Sequence, residues 1–180
     1  MEYKILGQSP DGPTLDLDYR EFAYAGKFVM SKTGKSVAVD DGTVVGAVAF
    51  SPDYDNERVV RFRYVTVHDD RRGEGIGSRL LRYTAESLST GYDDVTIAVN
   101  NPVAYRACYR AGFTFTGHET GIAEVLLRYN PEENRRRERY YEGLARFEDR
   151  ELPPEQQAVL DREEPPPVAP FPSIDDTTAE

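Results

Sequence analysis

The stretch that decides the fold reads Val67-His68-Asp69-Asp70-Arg71-Arg72-Gly73-Glu74-Gly75-Ile76-Gly77-Ser78-Arg79-Leu80-Leu81. A strand rich in Val, Phe and Tyr leads up to it and an amphipathic helical pattern leaves it, so the glycines lie in a strand-to-helix turn. Free backbone N–H groups and the helix dipole at such a turn favour an anion. Glycine also lets the backbone approach that anion closely. The stretch therefore predicts a phosphate-binding turn.

Two well-known phosphate-binding folds do not fit this turn. The NTPase loop ends in Gly-Lys-Ser/Thr, and that ending is missing here. The dinucleotide fingerprint belongs to a parallel βαβ unit. Here three antiparallel-looking strands precede the turn, over residues 36–40, 43–50 and 58–67, and the first two are joined by the hairpin signal Asp41-Gly42.

The remaining pattern alternates strands and helices up to residue 129. We predict a strand over residues 3–7, a short helix over 15–25, a helix from the glycine turn to Gly91 and a strand over 95–99. A second helix follows Asn101-Pro102 and ends at Gly112, and residues 114–116 and 123–129 form a last hairpin.

Two sequence blocks resemble the GNAT superfamily of N-acetyltransferases. The segment Arg72-Gly73-Glu74-Gly75-Ile76-Gly77 matches the family motif Gln/Arg-x-x-Gly-x-Gly/Ala, which follows the fourth strand. Asn101, Ala104 and the pair Gly112-Phe113 match the second block, Asn-x-x-Ala followed by Gly-Phe. The blocks stand in the family order, and the resemblance covers roughly residues 3–129.

The resemblance implies an α+β fold whose mixed, mostly antiparallel sheet of about six to seven strands is flanked by helices. The sheet would splay open between strands 4 and 5, and acetyl-CoA would bind in that cleft. The cofactor-binding residues implied are Val65, Thr66, Val67, Arg71, Arg72, Gly73, Glu74, Gly75, Ile76, Gly77, Ser78, Asn101 and Ala104. Asn101 could instead serve only as a helix cap, and Arg71 only as a solvated surface charge.

The catalytic residues implied by the resemblance are Val67, Tyr105 and Cys108. The Val67 amide would stabilise the negative charge on the thioester oxygen. Many family members place a general-acid tyrosine where this chain has Cys108. Tyr105 lies three residues earlier, on nearly the same helix face, and could replace it. Cys108 could equally be a small apolar filler.

The general base has no clear candidate in the sequence. Arg61 and Thr96 occupy positions where family members often carry a carboxylate. Four carboxylates remain candidates by their expected nearness to the cleft: Asp53, Asp55, Glu57 and Glu124. A chain of waters could also serve, because a modest base suffices near neutral pH.

The composition limits which partners, metal sites and cellular locations we expect for this protein. The chain has 180 residues and a formal net charge of −10, which disfavours nucleic acid as a partner. One cysteine and two histidines are too few for a persuasive metal site. No signal peptide and no membrane-spanning apolar run are visible, so we expect a cytoplasmic protein with no membrane partner. The acidic, lysine-poor and arginine-rich composition is typical of halophilic proteins, or of an acidic protein from a GC-rich genome.

After Asn130-Pro131 the alternation of strands and helices ends, and the sequence becomes highly charged and then rich in proline. We predict an acetyl-CoA-binding catalytic domain over residues 1–130 and a helical, proline-rich extension over 131–180. A charged helix over residues 132–150 would carry Tyr140, Leu144 and Phe147 as one apolar stripe. That stripe could pack on its own domain or on a second subunit, as in a homodimer.

The sequence thus predicts an acyltransferase that moves the acetyl group of acetyl-CoA to a primary amine by direct attack, without a metal. The acceptor amine is not identified by the sequence. Two alternatives stay open: a GNAT-like module that binds acyl-CoA without turnover, and a protein-interaction module that acts through the extension.

Overall fold

The computed structural model describes residues 1–30, 32–162 and 164–171. Its centre is one seven-stranded sheet with the order β1-β2-β3-β4-β5-β7-β6. The strands are β1 (Glu2–Gly7), β2 (Gly34–Asp40), β3 (Thr43–Pro52), β4 (Val59–Val67), β5 (Asp94–Val99), β6 (Phe113–Glu119) and β7 (Val125–Tyr129). Strands β4 and β5 pair in parallel, and every other neighbouring pair is antiparallel.

The first four strands form an antiparallel meander, as predicted. Asp41 and Gly42 both have positive φ, 46° and 77°, as a two-residue hairpin turn requires. The pairing of β4 with β5 is short, because only Val59–Phe62 lie opposite Asp94–Ile97. Beyond Phe62 the two strands diverge, and this splay opens the sheet on one side of β4.

Two helices cover the sheet. Helix α1 (Ile76–Leu88) packs against β2, β3 and β4, and α2 (Pro102–Arg110) packs against β6 and α1. Their apolar faces enclose one main core with the inner faces of the strands. The predicted α+β fold, with a mixed and mostly antiparallel sheet splayed between strands 4 and 5, is confirmed.

The predicted helix over residues 15–25 is wrong. This segment is irregular, and its only regular element is a single 3-10 turn, Ala25–Lys27. Its apolar side chains, including Leu17, Phe22 and Phe28, fill a second small core on the other face of β2 and β3. Burial of individual side chains on a sheet therefore fixes this segment, and the helical spacing of its apolar residues was coincidental.

The extension folds back on the sheet. The predicted helix over residues 132–150 is interrupted: 3-10 turns Glu133–Arg135 and Ala145–Phe147 flank α3 (Arg137–Leu144). A further helix, α4 (Pro154–Leu160), packs against α2. The stripe of Tyr140, Leu144 and Phe147 is buried in the main core, which leaves it no free face for a second subunit. The division into domains at residue 130 stays a prediction.

Candidate active site

A groove of about 470 Å³ opens where β4 and β5 diverge. One wall is the unpaired end of β4, residues 63–67, and the other is the end of β5 with the first turns of α2. Its lining includes the predicted residues Val65, Thr66, Val67, Asn101, Ala104 and Cys108. The splay of the sheet is therefore the physical origin of the groove.

The backbone of β4 offers hydrogen-bonding groups to this groove. The N–H of His68 donates to the Val45 carbonyl on β3 at 3.0 Å. Successive N–H groups of a strand point to opposite sides, so the Val67 N–H is directed away from β3, into the groove. In addition, the Thr66 hydroxyl is buried without a hydrogen-bond partner in the described part of the chain.

A second cavity, also about 470 Å³, surrounds the glycine turn. It shares Val67, Gly77 and Ala107 with the first groove, so the two cavities adjoin, and together they are called the channel below. Gly73 and Gly75 have φ of +86° and +76°, in the left-handed region that favours glycine. A β-carbon on Gly77 would lie 3.4 Å from Val67 Cγ2, at the point where the two cavities meet.

The side chains of the predicted turn are mostly engaged within the protein. Arg71 pairs with Glu74 at 2.8 Å and with Asp40 at 3.0 Å, and both carboxylates raise its pKa. Arg72 is exposed and pairs with Asp69 at 2.7 Å. Their charges are thus partly balanced before any ligand binds.

Two other predicted residues, Ile76 and Ser78, lie in the first turn of α1, and their side chains contact the rest of the protein. Ile76 is buried in the main core. The Ser78 hydroxyl donates to the Ala107 carbonyl at 3.1 Å and ties α1 to α2. What remains for a ligand at this turn is chiefly the backbone amides.

Three arginines missed by the sequence reasoning also line the second cavity: Arg106 and Arg110 from α2, and Arg162 just after α4. The first two stand four residues apart on one helix face, which was the available signal. No pattern in the sequence could place Arg162, because its approach depends on how the extension folds back.

One face of α2 borders the groove. Asn101, Ala104 and Cys108 follow at intervals of three and four residues and all line it. Asn101 is the helix cap, since its side-chain oxygen accepts from the Ala104 N–H at 2.9 Å. Cys108 is buried, and desolvation raises the pKa of its thiol to about 12. Such a thiol carries almost no thiolate at neutral pH.

Tyr105, predicted as the general acid, points away from the groove. Its hydroxyl donates to the Tyr140 carbonyl at 3.0 Å, and its ring is fully buried between Tyr140 and Phe147. Burial raises the pKa of this hydroxyl well above its usual value. The reason is that Ala104 and Cys108 already occupy the groove side of the helix, while the extension supplies a pocket for Tyr105 on the other side. This geometry argues against the acid role.

Of the four carboxylates considered as base, Glu124 alone lines the groove. Asp55 and Glu57 are exposed in the turn between β3 and β4. Asp53 is held by Arg61 at 2.8 Å. Glu124 is half-buried in the connection from β6 to β7, where the Thr120 hydroxyl approaches its carboxylate at 3.4 Å.

The described residues contain no group of three or more His, Cys, Asp or Glu side chains that could hold a metal ion. In the same part of the chain, no helix is both long and apolar enough to cross a bilayer.

The comparison with family models identifies the fold and class. Residues 32–115 match the model described as Acetyltransferase (GNAT) domain. The matched span holds β2 to β5, both helices that border the channel, and the glycine turn. The resemblance to the GNAT superfamily is therefore confirmed for residues 32–115, a little under half of the chain. No sequence among the curated proteins matches the chain.

Solved structures similar to part of this chain include proteins described as acetyltransferases. An N-acetyltransferase from Staphylococcus aureus Mu50 is 18% identical, with 55% of this chain and 68% of that chain covered and a TM-score of 0.46. The protein yncA from Salmonella typhimurium, described as an acetyltransferase with its cofactor acetyl-CoA, is 18% identical, with 55% and 65% covered and a TM-score of 0.48. A Bacillus anthracis protein described as a streptothricin acetyltransferase, in complex with acetyl coenzyme A, is 18% identical, with 53% and 60% covered and a TM-score of 0.44.

Proposed function

We propose that this protein is an N-acetyltransferase that uses acetyl-CoA to acetylate a primary amine. The observation that carries the proposal is the pair of adjoining cavities that make up the channel, which share Val67, Gly77 and Ala107. One cavity surrounds the glycine turn, which would bind an anion, and the other is lined by the end of β4 that β5 does not pair and by the Glu124 carboxylate. A ligand that fits must carry phosphates at one end and a neutral reactive arm at the other, as acetyl-CoA does.

The channel residues suit acetyl-CoA in their chemistry. The turn from Arg72 to Ser78 offers backbone amides to the pyrophosphate at the start of α1. Val65 and Val67 would pair with the pantetheine arm as a neighbouring strand would, because β5 has left that side of β4 open. The thioester of the bound molecule would supply the acetyl group.

The protein would contribute two groups to the transfer. The Val67 N–H would donate a hydrogen bond to the thioester oxygen, where negative charge develops as the amine attacks. The Glu124 carboxylate would accept the proton from the attacking amine, directly or through one water. A role for Cys108 as a nucleophile has little support, because its thiol is buried and protonated.

The acceptor would enter at the outer end of the groove. Tyr24 and Tyr64 line this end with ring centroids 5.8 Å apart, and Arg63 lines it too. The Arg63 guanidinium donates to Ser51 Oγ and to the Pro52 carbonyl, both at 2.9 Å, and is therefore held in place. Aromatic faces beside fixed charges of both signs can orient a polar amine.

A thiol-release assay over a panel of amines tests the proposal. We expect CoA to be released only when both acetyl-CoA and an accepted amine are present. Glu124→Gln should lower the rate at pH 7 by about 100-fold, within the usual range for a general base. Its rate should recover as the pH rises, because more of the amine is then already deprotonated.

Two outcomes would contradict the proposal. If no amine in a broad panel releases CoA although acetyl-CoA binds, the chain is a CoA-binding module without turnover. If Glu124→Gln keeps the full rate at every pH, Glu124 is not the base.

A further inference from the structure

The extension contributes to the cavity around the glycine turn. Glu155 and Val159 of α4, and Arg162 just after it, form part of the cavity wall. These residues lie far beyond the span 32–115 that matches the acetyltransferase model. The cavity wall at this end is therefore particular to how this chain continues after its last strand.

The wall contributed by the extension is firmly attached. Val159 is buried against α2. Further on, the Ala169 N–H donates to the Arg110 carbonyl at 2.5 Å, and Arg82 donates to the Ala169 carbonyl at 2.8 Å. These bonds hold the extension against α1 and α2.

The cavity is cationic in an acidic protein. Arg71, Arg72, Arg106, Arg110 and Arg162 line it, and Glu155 is its only acidic residue in the described part of the chain. The formal net charge of the whole chain is −10. Such a local excess of arginine marks a site for an anion.

The arginines differ in whether they are already paired. Arg71 and Arg72 have carboxylate partners. Arg106 interacts with the Tyr140 hydroxyl. Arg110 and Arg162 have no carboxylate partner among the described residues, and the Arg110 Nε atom is buried there without a hydrogen-bond partner. Arg110 Nη2 lies only 3.6 Å from where a β-carbon on Gly75 would be. An unpaired guanidinium thus lies beside the turn that would hold the pyrophosphate.

We propose that Arg110 and Arg162 bind a second phosphate group of the same ligand, the 3′-phosphate of CoA. The turn amides would hold the pyrophosphate, and the two guanidinium groups, one from α2 and one from the extension, would hold the phosphate monoester. Arginine suits this role because its planar donors match phosphate oxygens. The inference deepens the proposed function and rests on it, since it assigns the extension to the coenzyme site.

Calorimetric titration with CoA and with dephospho-CoA, which lacks the 3′-phosphate, tests this inference. The wild-type protein should bind CoA at least about tenfold more tightly than dephospho-CoA. Arg110→Gln and Arg162→Ala should each reduce that preference to about threefold or less. Arg162→Ala should leave the affinity for dephospho-CoA nearly unchanged, whereas Arg110→Gln should also weaken it, because Arg110 lies beside the turn. Arg146→Ala is the matched control, because Arg146 is an exposed arginine of the extension that does not line the cavity.

Glu155→Gln provides a test in the opposite direction. Removing the carboxylate from the cavity should strengthen CoA binding by a few-fold, since it removes repulsion of the phosphate. Equal wild-type affinity for the two ligands, or an unchanged preference in both arginine variants, would overturn the inference. If neither CoA nor dephospho-CoA binds to the folded wild-type protein, the proposed function itself fails.

Discussion

The hydroxyl of Tyr105 donates a hydrogen bond to the backbone carbonyl of Tyr140, 3.0 Å away. This contact joins α2, which borders the channel, to α3 of the extension. Both tyrosines are buried, and their ring centroids are 5.6 Å apart. The extension therefore packs against the side of α2 that faces away from the channel, and Tyr105 is one of the residues that make this contact.

Tyr105→Phe should affect stability and leave catalysis nearly intact. Loss of the hydroxyl removes one buried hydrogen bond, which should lower the free energy of unfolding by about 1 kcal/mol. The turnover rate at saturating substrates should stay within about twofold of wild type. Urea unfolding and the thiol-release assay measure the two effects. A rate loss of about 100-fold with unchanged stability would instead establish Tyr105 as the general acid.

Gly143→Ala should destabilise the contact between α3 and α2. A β-carbon there would lie 2.2 Å from the Tyr105 hydroxyl oxygen and 2.9 Å from Phe115 Cβ, so packed groups would have to move. We expect a loss of about 1–3 kcal/mol in the free energy of unfolding, as for other overpacked cores. Gly121→Ala is the control, because a β-carbon on Gly121 meets nothing within 4 Å. Equal stability of the two variants would show that the extension packs differently.

Arg150 connects the extension to the reactive end of the groove. It donates to the Asn100 carbonyl at 3.2 Å and to the Ala123 carbonyl at 2.6 Å, next to Asn101 and Glu124. We propose that Arg150 positions the connection that carries Glu124.

Arg150→Ala should lower kcat by about five- to tenfold and leave the affinity for acetyl-CoA unchanged, because the pyrophosphate turn is not touched. The thiol-release assay measures kcat, and calorimetry measures the affinity for acetyl-CoA. Arg150→Lys, which keeps the charge but loses the forked geometry, should be intermediate. A weaker affinity for acetyl-CoA with unchanged kcat would contradict this role.

Cys108 should be unreactive in the folded protein. Burial raises the pKa of its thiol to about 12, whereas an exposed cysteine has a pKa near 8.5. The nucleophilic thiolate is therefore scarce at pH 8 in the native state and abundant in the unfolded state. Iodoacetamide labelling followed by mass spectrometry should be at least about 100-fold slower for native protein than for protein in urea. Similar rates in both states would show an accessible thiolate in the groove.

The architecture could be predicted from sequence where local signals agreed with each other. Asp41-Gly42 fixed a hairpin, and the spacing of glycines from Gly73 to Gly77 fixed a strand-to-helix turn. Both lie in strongly periodic surroundings, so turn chemistry and hydrophobic pattern pointed to the same chain path. The prediction of a helix over residues 15–25 failed because the apolar residues of this segment are buried individually against the sheet. The spacing of apolar residues in the sequence does not reveal burial of that kind.

The candidate site was less predictable, because much of it depends on contacts distant in sequence. The direction of the Tyr105 side chain could not be predicted, because it depends on the extension, which folds back on α2 and packs around the Tyr105 ring. Arg162 reaches the cavity around the glycine turn only because the extension returns in this way. The sequence named Glu124 as one of four candidate carboxylates. Only the path of the chain through β6 and β7 shows that Glu124 lines the groove and that Asp53, Asp55 and Glu57 do not.

Calorimetric titration of Gly75→Glu tests whether the glycine turn and the channel bind acetyl-CoA. Gly75 has φ of +76°, and a β-carbon there would lie 3.1 Å from Arg79 Nη1, so the variant strains the turn and adds a negative charge to the anion site. Gly42→Glu is the matched control, because Gly42 has φ of +77° and nothing within 4 Å of its β-carbon position. We predict saturable micromolar binding of acetyl-CoA by wild type and Gly42→Glu, and binding at least about 30-fold weaker in Gly75→Glu. Undiminished binding by folded Gly75→Glu, or no binding by folded wild type, would contradict the account.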